Sequence, residues 1–191
     1  MNNEQVIKPE RIILGIDPGT QIMGYGLIKV QDKKMSIIRY GILNLKKYAN
    51  HALKLKRISE RMTELIENYM PDEVALEAPF FGKNIQSTLK LGRAQGVAMA
   101  AALVKGIPIC EYAPRKIKQS VTGSGSASKE QVAAMLRQIL HFKPEKDLKL
   151  DATDALSVAV CHYYQGTTHS DKPKVSGWGA FVKENPNRIK R

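Results

Sequence analysis

The stretch Arg11-Ile12-Ile13-Leu14-Gly15-Ile16-Asp17-Pro18-Gly19-Thr20 carries an apolar run that ends on one acid and then on turn residues. An apolar run of this length, closed by Pro and Gly, reads as a buried strand followed by a turn. An acid leaving such a strand projects at the edge of a sheet, where the ligand sites of α/β folds lie. Working outward, Tyr25 to Val30 and Met35 to Leu45 read as second and third strands of an antiparallel meander. Leu55, Ile58, Met62, Leu65 and Tyr69 then recur every three or four residues, which predicts a helix over Ala52 to Met70.

Beyond Pro71-Asp72, Glu73 to Glu77 reads as a short apolar strand, Ser87 to Lys105 as a helix rich in Gly and Ala, and Ile107 to Tyr112 as a further strand. Ser128-Lys129-Glu130-Gln131 has the form of a capping box and opens a helix to about His141. A last apolar helix runs from about Asp151 to Tyr164. The order β-β-β-α-β-α-β-α-α predicts an α/β fold, a mixed five-stranded sheet flanked by helices. Residues 1–165 form the folded unit in this reading. Residues 166–191, with six basic and two acidic residues and no helical or strand period, read as a flexible basic tail. Its Trp178 and Phe181 read equally as anchors to a partner or another subunit and as an incidental fold-back.

Four carboxylates occupy strand ends or a helix start: Asp17, Glu77 after Val74-Ala75-Leu76, and the pair Asp151 and Asp154. Each has an ordinary reading. Asp-Pro-Gly is a common turn, a charge on an apolar strand needs a partner that is a lysine as readily as a metal, and acids in a first helical turn complement the helix dipole. Asp151 and Asp154, three apart, share one helix face. Ala152, Ala155 and Ala159 make that helix small-faced, fit to lie against a sheet and aim both acids at its edge. Oxygen ligands without His or Cys neighbours suit Mg2+ or Mn2+ rather than zinc. His141, His162 and His169 lack metal-like spacing and read as structural or surface residues.

The chain has 191 residues and 43% hydrophobic content, as expected of one globular domain. Its formal net charge of +12 favours phosphate backbones as partners. Acids gathered on a basic protein suggest a divalent-metal site acting on a polyanion, as two-metal phosphodiester cleavage requires. No apolar run approaches the ~18 residues of a membrane span. The N-terminal residues lack the pattern of a secretion signal, and Cys110 and Cys161 sit in apolar contexts as free thiols. The expected setting is the cytoplasm, with no membrane.

Five motifs in register carry a family resemblance: Ile-Leu-Gly-Ile-Asp-Pro-Gly-Thr; Gly-Tyr-Gly; Leu89-Lys90-Leu91-Gly92-Arg93-Ala94-Gln95-Gly96; Gly123-Ser124-Gly125-Ser126-Ala127-Ser128-Lys129-Glu130-Gln131-Val132; and Asp151-Ala152-Thr153-Asp154-Ala155-Leu156. From about Arg11 to His162 the chain resembles the RuvC family of Holliday junction resolvases. The resemblance implies an RNase H-like fold and a homodimer that resolves four-way DNA junctions by paired, symmetric nicks in strands of like polarity. The ends left would be 5′-phosphate and 3′-hydroxyl, in homologous recombination and DNA repair. It implies Asp17, Glu77, Asp151 and Asp154 as catalytic and metal ligands, binding two Mg2+ per subunit with Mn2+ able to substitute. The all-carboxylate version applies, since Asp151 stands where some relatives carry His. Phe80 matches an aromatic that stacks near the junction centre, with Phe81 its neighbour. Lys83, Arg93, Lys118 and Lys129 are the implied DNA contacts. Lys118 and Lys129 are read with the loop in which Gly123 and Gly125 let the backbone approach DNA. A branch-migration motor complex of RuvA-RuvB type is the implied partner. The tail matches no motif of the family. Competing readings are an actin-like ATPase or kinase, from Asp17-Pro18-Gly19-Thr20 as a phosphate turn, a non-catalytic junction-binding module, and a nuclease of this fold acting on RNA.

Overall fold

Side chains of the apolar run, β1 (Arg11–Asp17), alternate between two cores. Leu14 and Ile16 enter one and Ile13 the other, so every position between the end residues is apolar. The structure, a computed structural model, describes residues 10–79, 84–142 and 150–166, and for 150 and 151 the backbone only. Phe80, Phe81, Lys83 and the tail with Trp178 and Phe181 lie outside the described residues.

β2 (Ile22–Gln31) and β3 (Lys34–Asn44) continue β1 as an antiparallel meander, while β4 (Glu73–Glu77) and β5 (Ile109–Tyr112) join its other side in parallel. The sheet order is β3-β2-β1-β4-β5. This is the expected mixed five-stranded sheet, with β2 starting three residues earlier than its apolar core suggests.

Two helices cover one face. α1 (His51–Tyr69) presents Ile58, Met62, Leu65 and Ile66, and α2 (Ile85–Val104) presents Ala94, Ala98 and Ala102. Asn50 and Asn84 cap them, each side-chain oxygen accepting from the backbone N–H three residues on. On the other face lie α3 (Pro114–Thr122), α4 (Lys129–Ile139) and α5 (Leu150–Gln165). Ser128 and Gln131 form the anticipated reciprocal capping box of α4. α3 is an addition to the expected element order. It starts on Pro114 at its first turn, has no side-chain cap, and ends at Gly123 with φ of 81°. Lys118 therefore stands on a helix, not in the glycine loop where sequence reading put it.

α5 approaches the sheet closely because two glycines face it. Gly15 and Gly26 are paired across β1 and β2. A Cβ on Gly15 would strike the Ala155 carbonyl and lie 2.7 Å from the Ala159 backbone nitrogen. One on Gly26 would lie 2.8 Å from a Leu156 methyl. Neither cysteine is in a disulfide; Cys161 is buried and Cys110 half-buried.

Candidate active site

Period-two alternation decides where the acids go. Asp17 shares the α5-facing side of β1 with Ile13 and Gly15, and Glu77 shares that side of β4 with Ala75. Ile16 pairs with Leu76 in the parallel register, so Asp17 and Glu77 each stand one residue further along, at the C-terminal ends of adjacent strands. The glycine seat then lays the first turns of α5 across the same edge, which brings in Asp154.

Asp17, Glu77 and Asp154 line one cavity of about 110 Å³ together with Lys118, Lys129 and Ser157. Lys129 Nζ donates to Asp154 Oδ2 at 2.7 Å. Burial raises the proton affinity of the Glu77 carboxyl, the negative charge of Asp154 raises it further, and Lys129 and Lys118 oppose the shift. Excess negative charge among oxygen donors is what a hard divalent cation relieves, so the donor set fits Mg2+ chemistry. Among the described residues, no cluster of three or more His, Cys, Asp or Glu side chains is already drawn tight enough to hold an ion. Asp151 lies in the first turn of α5, its side chain outside the described residues. A larger cavity, about 590 Å³, opens at the opposite end of the strands beside Arg11, Asp72 and Glu73. Size does not mark the site here; converging like charges do.

The expected DNA contacts separate in space. Lys118 and Lys129 stand at the carboxylate cavity. Arg93 is exposed on α2, outside that cavity's lining, where its charge, with those of Lys90 and Lys54, acts on His51. Burial first, then those three cations, hold the His51 imidazole below its usual proton affinity. Lys54 Nζ donates to the Thr20 carbonyl at 3.0 Å, which ties this basic cluster to the turn after Asp17. Phe80 and Lys83 lie outside the described residues. Sequence reading missed the Lys129–Asp154 bond, although the capping box already put Lys129 at the start of a helix. Of its two readings of His162, structural or surface, the structural one holds, since the residue is 1% exposed; its contacts with Glu73 and Tyr112 were not foreseen.

Comparison with known proteins agrees with this geometry. The family model described as crossover junction endodeoxyribonuclease RuvC matches residues 13–162. A crossover junction endodeoxyribonuclease RuvC of Cytophaga hutchinsonii is 62% identical over 95% of this chain and 89% of its own length. That of Christiangramia forsetii is 60% identical over 99% and 98%. The solved structure of T. thermophilus RuvC in complex with Holliday junction substrate superposes with a TM-score of 0.73 at 30% identity, covering 81% of this chain and 94% of that one. With the sheet order, the acid-lined strand ends and these matches in hand, the chain belongs to the RuvC family of crossover junction endodeoxyribonucleases, metal-dependent nucleases of RNase H-like fold.

Proposed function

We propose that this chain is a Mg2+-dependent endonuclease that resolves four-way DNA junctions by paired, symmetric nicks in strands of like polarity. The observation that carries the reading is the convergence of Asp17, Glu77 and Asp154 with Lys118 and Lys129 on one cavity at the ends of adjacent parallel strands. Asp17, at the end of the central strand, would be one of the residues that hold the ions. Glu77, Asp151 and Asp154 would complete the set for two Mg2+ ions, for which Mn2+ would substitute. Such ions supply, when bound, positive charge at the attacking and departing oxygens of the scissile phosphate. The residues themselves orient the strand. Lys118 and Lys129 neutralise phosphate charge beside the acids, and Lys129 exchanges Asp154 for a phosphate oxygen when DNA arrives. Lys129 is the exposed partner of that pair, with Asp154 largely buried, so the lysine is the side chain that can turn to a phosphate. Phe80 stacks at the junction centre, and Lys83 and Arg93 hold the arms. The products are 5′-phosphate and 3′-hydroxyl ends.

Paired nicks need two active sites, and the outer face of α2 supports a homodimer. Ile85, Leu89, Gly92, Gly96, Ala100 and Leu103 fall on one exposed line of the helix, with nothing within 4 Å of a Cβ built on either glycine. Small residues at such spacing let a second helix approach closely. The nuclease unit spans residues 1–165, and residues 166–191 add six basic residues against two acidic ones for phosphate attraction. A branch-migration motor of RuvA-RuvB type is the partner that presents the junction, and the setting is the cytoplasm. Among the described residues no helix is long and apolar enough to cross a membrane. The test is cleavage of labelled four-way junction, duplex and single-stranded DNA with and without Mg2+. Symmetric junction nicks that need the ion are expected. Equal cleavage of all three, or of structured RNA in preference, would overturn the assignment.

A further inference from the structure

His162 is buried at 1% exposure near the end of α5, on the helix that carries Asp154. Its Nε2 lies 3.1 Å from Glu73 Oε2, and its Nδ1 lies 2.8 Å from the Tyr112 hydroxyl. Arg11 Nε reaches the same Glu73 oxygen at 3.0 Å. Neither contact to that oxygen has good hydrogen-bond geometry; that of Arg11 is an ion pair, and that of His162 is one when the ring is protonated. A carboxylate only accepts, so the Nε2 that faces it carries a proton, while the direction of the Tyr112–Nδ1 hydrogen bond follows the charge of the ring. The Tyr112 hydroxyl keeps its proton well above the usual range, through burial first and then the neighbouring Cys110, Cys161 and Glu73.

These partners sit at telling places. Glu73 and Glu77 begin and end β4, about 13 Å apart at roughly 3.3 Å per strand residue. Asp154 and His162 are eight residues apart on α5, about 12 Å at roughly 1.5 Å per helical residue. Helix and strand therefore meet at two matched points. Asp154 and Glu77 repel at one, and His162 is held by Glu73 at the other. Tyr112 pairs with Glu77 across the β4–β5 register, and its carbonyl accepts from Ala78 N at 2.9 Å. One imidazole thus joins α5 to β4, which ends on Glu77, and to β5 beside it.

We infer that His162 is a positioning residue: through Glu73 and Tyr112 it fixes the axial register of α5 against β4 and β5, and so sets the spacing of Asp154 from Glu77. The inference rests on the reading of those acids as the cleavage site. Packing alone would be met by an apolar side chain, as at Val158 one turn earlier and at the adjacent Cys161, both fully buried.

The test compares His162→Leu and His162→Gln in the full chain. Arg11 remains to compensate Glu73 in both, and thermal unfolding reports the folded fraction. His162→Leu is expected to bind four-way junction normally without divalent ions, to lose turnover roughly 10- to 100-fold, and to need more Mg2+ for half-maximal rate. His162→Gln, whose amide N–H can face Glu73 as Nε2 does, is expected to recover much of that loss. Mn2+ titration by calorimetry without DNA should follow the same order, wild type tightest and His162→Leu weakest. Wild-type turnover and Mg2+ midpoint in folded His162→Leu would overturn the inference, as would equal impairment of the two variants. Were wild-type protein to leave junctions uncut, the cleavage reading would fall, while the Mn2+ order would still judge the role of His162.

Discussion

Replacing Gly15 with alanine tests the seat that delivers Asp154 to the cavity. The added Cβ would lie 2.7 Å from the Ala159 nitrogen, where ordinary contact begins at 3.4 Å, so α5 must retreat by about 0.7 Å there and further at Ala155. Ala155 adjoins Asp154, so the carboxylate moves with it. Overpacking of this kind costs about 1–3 kcal/mol. At ~2 kcal/mol the melting temperature falls by roughly 4–8 °C for a domain of this size. Misplacing a reacting group by ~1 Å costs on the order of 100-fold in rate, so a loss between roughly 10- and 100-fold is expected. The assays are thermal unfolding and single-turnover cleavage of a four-way junction, with junction affinity as the control that stays put. Trimming Ala159 to glycine in addition removes only a Cβ contact of 2.9 Å and leaves the backbone clashes, so the double variant stays impaired. Wild-type melting and turnover in Gly15→Ala would refute the argument. Lower stability with unchanged turnover would mean that α5 moves without taking Asp154 along.

Other expectations follow from the same geometry. Glu77→Gln abolishes cleavage yet raises the melting temperature in EDTA. The folded state disfavours the ionised carboxylate, so the penalty it removes is absent below about pH 4.5 and grows as pH rises through the elevated folded value. Melting curves across that range check it, and an unchanged or lower melting temperature at neutral pH contradicts it. Lys129→Ala weakens junction binding and lowers the slope of log affinity against log salt by about one. An identical slope would remove Lys129 from the contact set. Leu89→Glu places a charge on the exposed line of α2 and is expected to give a monomer in sedimentation equilibrium. A persistent dimer would move the interface elsewhere.

Much of the site was legible because it is written in period-two and small-residue patterns. The run before Asp17, the short strand before Glu77 and the alanines of α5 each specify a face, and those faces meet at one edge. What stayed hidden depends on partners remote in sequence. Nothing near Lys129 announces Asp154, twenty-five residues on, as its acceptor. Nothing near Glu73 announces His162, and a lone His on an apolar helix reads as packing. α3 was missed for a different reason. Its basic residues masked a short amphipathic turn, though Pro114 at its start, buried Ile117 and Val121 four apart, and Gly123 beyond its end are all helix signals. Placing Lys118 in a loop was the consequence.

Parallel junction cleavage and junction binding by wild type and Asp17→Asn bears on the metal-site assignment more directly than any other measurement. The carboxylate-site account predicts Mg2+-dependent symmetric nicks from wild type, and none from Asp17→Asn, with undiminished binding, because the substitution removes a ligand charge and leaves the basic surface intact. Nicking at the wild-type rate by Asp17→Asn would contradict it.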